Sequence, residues 1–111
     1  MENFRLFNED TINGMKGLIS QNIKVDCIIT DPPYKLTSKG STGTMGGEFW
    51  TSERSKKGIL FDTPDITDWI NLCYDLLNEG THIYIMTNDK NLTHYLDTIK
   101  KSKFEFVKTI I

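Results

Sequence analysis

The chain is poor in the residues that staple or stiffen a fold. It has two cysteines, three prolines and two histidines among 111 residues. Cys27 and Cys73 lie in separate apolar stretches and read as reduced core residues, not as a disulfide or a metal site. His82 and His94 have no ligand spacing, and without a Cys/His cluster no metal is expected. No apolar run approaches the roughly 20 residues of a membrane span. The start, Met1-Glu2-Asn3-Phe4-Arg5, lacks the basic-then-apolar pattern of a signal peptide, so a cytoplasmic location is expected. Neither sign of charge dominates: 13 basic residues stand against 15 acidic ones, a net charge of −2. The whole chain is therefore no obvious binder of nucleic acid.

The local distribution is less even. Lys35, Lys39, Arg54, Lys56 and Lys57 outnumber Glu48 and Glu53 in one stretch, and Lys100, Lys101, Lys103 and Lys108 outnumber Glu105 near the end. Such patches can meet phosphates on an acidic protein, although solvated loop and helix faces carry the same residues.

Elements alternate along the chain. Phe4 to Phe7 reads as a short strand. Asp10 or Thr11 then caps a helix bearing Ile12, Met15, Leu18 and Ile19, which Gly14 and Gly17 weaken. Val25 to Thr30 reads as a buried strand. Thr37 to Gly58 is rich in Ser, Thr and Gly, and its place favours a mobile flap. Phe49 and Trp50 within it are suited to fold over a ligand or to pack the loop onto the body. Thr63 fits an N-cap with Pro64 at the first helical position. Ile66, Trp69, Ile70, Cys73, Leu76 and Leu77 then recur as a core face, and Gly80 ends that helix. His82 to Met86 reads as a second buried strand. Asn88 or Asp89 caps a helix bearing Leu92, Tyr95, Leu96 and Ile99, and Phe104 to Ile111 reads as a last strand. The alternation predicts an α/β fold with a parallel sheet and right-handed crossovers.

Asp31-Pro32-Pro33-Tyr34 follows the Val25–Thr30 run directly. In open α/β sheets ligands bind beyond the carboxyl ends of strands. Asp31 and the Pro32 carbonyl are both hydrogen-bond acceptors, so together they can take both hydrogens of an exocyclic amino group. That pull turns the nitrogen lone pair off the ring and toward a methyl group held in line. Pro32 and Pro33 fix the backbone and remove competing N–H donors. Tyr34 offers a face for a stacked base. A base within a duplex must flip out to reach such a pocket. The bland alternative is a Pro-Pro turn in which Asp31 caps and Tyr34 packs.

The tetrapeptide and its strand resemble the catalytic motif of the amino-group (N6-adenine or N4-cytosine) DNA methyltransferases. Asn8 to Met15 is similar to the family's acidic segment before a helix, and Trp69 to Asn88 to its following helix, Gly turn and strand. The resemblance implies a partial Rossmann-like α/β fold, three-layered with a mostly parallel sheet, that uses S-adenosylmethionine and acts on double-stranded DNA. It implies catalytic and base-holding roles for Asp31, Pro32, Pro33 and Tyr34, with Asp31 also beside the cofactor, and a cofactor-adenine contact for Asp10. Lys35, Lys39, Arg54, Lys56 and Lys57 are the nucleic-acid contacts it would use. An Asp at the first motif position tilts the expectation to adenine over cytosine, and RNA or protein-amide acceptors and an inactive nucleic-acid-binding remnant stand as alternatives. A place in restriction-modification or phage self-protection is the expected setting.

The family's Phe-x-Gly-x-Gly turn does not follow any strand here. Gly43-Thr44-Met45-Gly46-Gly47 follows no apolar strand and is no substitute. The chain thus resembles the N-terminal catalytic portion of a circularly permuted, beta-type member, without the cofactor-binding half or the target-recognition region. The resemblance then predicts an incomplete sheet, with a second chain that supplies the cofactor half as one expectation.

Overall fold

A computed structural model of the protein describes residues 3–33 and 64–111. Five elements follow in order: α1 (Thr11–Ser20), β1 (Val25–Thr30), α2 (Ile66–Leu76), β2 (Leu77–Ile85) and α3 (Asp89–Lys101). The expected flap, with Phe49 and Trp50, lies outside the described residues.

α1 starts where an acid can cap it. The Asp10 carboxylate accepts the Asn13 amide at 3.0 Å, which satisfies one of the amides a helix start leaves unpaired. The helix closes with Asn22 in the left-handed region at φ 57°. The Ile23 amide reaches the Leu18 carbonyl at 3.1 Å, and that of Asn22 reaches Ile19 at 3.0 Å. These paired bonds define a Schellman ending, for which Asn is the usual substitute for Gly.

α2 begins two residues later than Thr63 would place it. Asp65 is the N-cap, and its amide donates to Asp68 Oδ2 at 2.8 Å while its carboxylate accepts the Thr67 amide at 3.1 Å. This reciprocal box outcompetes a hydroxyl cap, and Pro64 precedes it. His94 of α3 closes on the same carboxylate, with Nε2 at 2.9 Å from both oxygens. A carboxylate only accepts, so Nε2 carries the proton. One aspartate thus caps α2 and ties it to α3.

Gly80 does not end α2. The helix stops at Leu76 and passes straight into β2. Val25 pairs with Leu77 and Cys27 with His82, so one residue of β1, Asp26, faces four of β2. Gly80 sits within this bulge at φ 77°, a conformation only glycine adopts at little cost. Asn78 Nδ2 donates to Asp26 Oδ1 at 2.7 Å and closes the bulge. Beyond it β1 and β2 run parallel in register from Cys27–His82 to Thr30–Ile85.

The two strands present one covered and one open face. Ile28, Ile83 and Ile85 pack onto a core of Ile66, Trp69, Ile70, Cys73 and Tyr95, joined by Ile12, Met15 and Ile99 from the flanking helices. The alternate residues Cys27, Ile29, Tyr84 and Met86 are exposed, Ile29 by 67%. Neither strand is buried on both faces, and Cys27 is not a core residue. The structure is α/β with a small parallel sheet, a partial Rossmann-like arrangement.

The segments 4–7 and 104–111 are not strands. Phe4, Leu6, Val107 and Ile110 are exposed. An extended segment becomes a strand only by pairing, and neither segment is paired with β1 or β2. Phe104 instead packs edge-on against Tyr74, with ring centroids 5.3 Å apart.

Two predictions follow from these contacts. Burial works to raise the Asp65 carboxyl, but hydrogen bonds from His94 and Thr67 outweigh it and hold its pKa below the ordinary 3.8. A carboxylate lowered on folding stabilises above its unfolded pKa, and that stability fades as pH falls from about 4 through the folded value. Asp65→Ala should cost about 1 kcal/mol in urea unfolding at pH 7. It should also flatten the acid limb of stability, whereas His94→Ala should cost only a few tenths of that because the pair is exposed. Burial pushes the Cys73 thiol up to about 11, while Cys27 is exposed. Iodoacetamide at pH 8 should therefore label Cys27 in the native protein and reach Cys73 only in denaturant, as peptide mass spectrometry would show.

Candidate active site at the carboxyl end of the sheet

β1 delivers Asp31 and Pro32 to the sheet's carboxyl end. The ladder continues one bond past the paired residues, with the Met86 amide donating to the Thr30 carbonyl at 2.9 Å. Side-chain alternation continues with it. Asp31 is exposed, Pro32 is buried and Pro33 is exposed. The acid therefore stands free at the strand end while the proline beside it is anchored in the body. An anchored Pro32 holds its carbonyl at a set place without presenting an N–H.

Asp31 has no neighbouring cation among the described residues that engages it. Its carboxylate is an accessible acceptor, as the amino-group chemistry requires. Asp10 is also exposed, at the opposite end of the α1–turn–β1 unit in sequence, and spends one oxygen on the helix cap. The dual role expected for it, cap and ligand contact, is compatible with that geometry, since a carboxylate offers about four acceptor positions. Tyr34, Lys35, Lys39, Arg54, Lys56 and Lys57 lie outside the described residues.

Two side chains at this end escaped the sequence reading. Met86 is exposed beside Asp31, and the Thr87 hydroxyl is buried with no hydrogen-bond partner. Met86 falls within the run expected to be a buried strand, whereas Thr87 follows that run directly, as Asp31 follows Val25–Thr30. Among the described residues no group of three or more Cys, His, Asp or Glu is placed to hold a metal. No helix among them is long and apolar enough to cross a membrane.

A parallel strand pair with helices on one face, and an acid and two prolines at the carboxyl end of one strand, is compatible with part of a Rossmann-like methyltransferase fold. A family model described as DNA methylase matches residues 25–111, from the first residue of β1 through β2, α3 and the tail. The chain belongs to this N6/N4 family of DNA methylases, enzymes of amino-group methylation. The match leaves out α1, so Asp10 falls outside it. No curated protein and no solved structure matches the chain.

The family generally uses S-adenosylmethionine. The exposed carboxylates of Asp31 and Asp10 are acceptors, and they fit the amino and cationic groups of such a cofactor.

Proposed function

We propose that this protein is the catalytic portion of a site-specific DNA adenine N6-methyltransferase. The observation that carries the reading is the pairing of a free carboxylate, Asp31, with a buried Pro32 at the carboxyl end of a parallel strand. In that arrangement the Asp31 carboxylate and the Pro32 carbonyl grip the two hydrogens of an extruded base's amino group. The grip turns the nitrogen lone pair out of the ring plane. S-adenosylmethionine supplies the electrophilic methyl group when bound. Asp31, being exposed, passes the proton released from the amino nitrogen to water. Tyr34 gives the stacking face, and Lys35, Lys39, Arg54, Lys56 and Lys57 meet the phosphates of duplex DNA. Asp10 and Asp31 are the residues of this chain that hold the cofactor.

The open sheet face supports the further point that this is one portion of a larger site. A two-stranded sheet is marginal alone, and this one exposes Ile29, Tyr84 and Met86. Further strands paired to the edges of this sheet and helices laid on that face, from this polypeptide or from a second chain that carries the cofactor-binding half, complete the cofactor site. An acid at the first motif position favours adenine, and the same site with cytosine in it would give N4-methylcytosine.

The test is methyl transfer from tritiated S-adenosylmethionine to unmethylated plasmid DNA, with the cofactor-binding half supplied in trans or in cis. Nucleoside digestion should place the label in N6-methyladenine, and Asp31→Ala should lower kcat by at least about 10², the scale for removing one oriented group at a reacting centre. Label in N4-methylcytosine would correct the base. Label in RNA or protein, or an Asp31→Ala variant as active as the parent, would overturn the proposal.

A further inference from the structure

One polar atom at the carboxyl end has no explanation in the packing. Among the described residues, Thr87 Oγ is the single buried side-chain oxygen or nitrogen without a hydrogen-bond partner. It ends the covered-face row Ile83, Ile85, Thr87, where a valine of the same shape would pack equally well. Native folds seldom leave such a group unpaired, and each instance calls for a physical account.

The register says what lies opposite. Thr30 pairs with Ile85, and the Met86 amide bonds the Thr30 carbonyl. One step further brings Asp31 level with Met86 on the open face and Pro32 level with Thr87 on the covered face. Burial follows the same alternation: Asp31 and Met86 are exposed, Pro32 is buried, and Thr87 is half-buried. Neighbouring strands are about 4.8 Å apart, so this register sets Thr87 next to Pro32, whose carbonyl the amino-group reading assigns to the base. The side chain is only half-buried, and a second staggered χ1 rotamer exchanges the places of its methyl and hydroxyl.

We infer that Thr87 is a base-binding residue whose hydroxyl donates to the ring nitrogen next to the amino group held by Asp31 and Pro32. The inference rests on the amino-group reading of Asp31. Adenine and cytosine share the required edge: an exocyclic amino group flanked by a ring nitrogen that accepts, N1 in adenine and N3 in cytosine. Extruded bases are read on that edge. The hydroxyl is unpaired in the free protein because its partner arrives with the base.

The 111-residue chain and its Thr87→Val, Thr87→Ser and Asp31→Ala variants would be compared for thermal unfolding and for nucleoside binding by NMR shift titration. Three probes separate the contacts: 2′-deoxyadenosine, its 1-deaza analogue and the purine deoxyriboside that lacks the amino group. Thr87→Val should keep or raise the melting temperature and weaken deoxyadenosine binding about three- to tenfold, the effect of one hydrogen bond. It should carry no penalty with the 1-deaza analogue, and Thr87→Ser should bind as the parent does. A Thr87→Val variant that melts earlier, or that binds deoxyadenosine unchanged, overturns the inference, as does a parent chain that binds no deoxyadenosine. The Asp31 reading fails separately: it falls if the parent binds the amino-free nucleoside as tightly as deoxyadenosine, whatever Thr87→Val does.

Discussion

The parallel register between β1 and β2 is the constraint on which the site depends. Ile28, Ile83 and Ile85 lock it by packing on Ile66, Trp69 and Ile70; being partly buried, each contributes a share of the about 1.5–3 kcal/mol that full burial gives. Side chains alternate with a period of two, so a slip of one residue would exchange the faces. Asp31 would then turn into the apolar core and Pro32 out to solvent. The cost of burying an unpaired carboxylate forbids that arrangement. Packing four residues upstream therefore decides which group of the Asp31-Pro32 pair meets a ligand.

The helices serve the same end. α2 supplies most of the core and is itself fixed at its start by Asp65, which reaches across to His94 on α3. α1 contributes Ile12 and Met15, and the Met15 sulfur lies 3.9 Å from the Cys73 thiol. The three helices thus gather over one face of the sheet, and the apolar residues of the other face are left in water. That asymmetry separates a covered side, which holds the acid's neighbour rigid, from an open side, which carries the acid.

Much of this was legible in the residues themselves. The Val25–Thr30 strand, the core stripe of α2 and the Asn88 cap of α3 follow from periodicity and capping chemistry, which act locally. The Asp31 motif was legible because its meaning depends on one strand end. The expected strands at 4–7 and 104–111 failed because a strand is a property of a pair, and no local pattern states whether a partner is present. Cys27 was misplaced for a related reason: an apolar run shows that a strand is buried on some face but not on how many. Thr87 was missed because an unsatisfied hydroxyl is defined by what surrounds it. The Asn22 helix ending was visible in principle, as an Asn after a helical stretch and before an apolar residue.

The bulge opposite Asp26 has a consequence for how this sheet tolerates change. Four residues of β2 are looped out against one of β1, and the Asn78–Asp26 hydrogen bond seals the detour. All of it sits at the end of the sheet away from Asp31, ahead of the run from Cys27 to Thr30. Length differences there are absorbed locally, as slack in a rope is taken up before the knot. A change of length between Asn78 and Thr81 therefore leaves the register beside Asp31 intact, whereas one between His82 and Ile85 shifts every pair from Cys27 to Thr30.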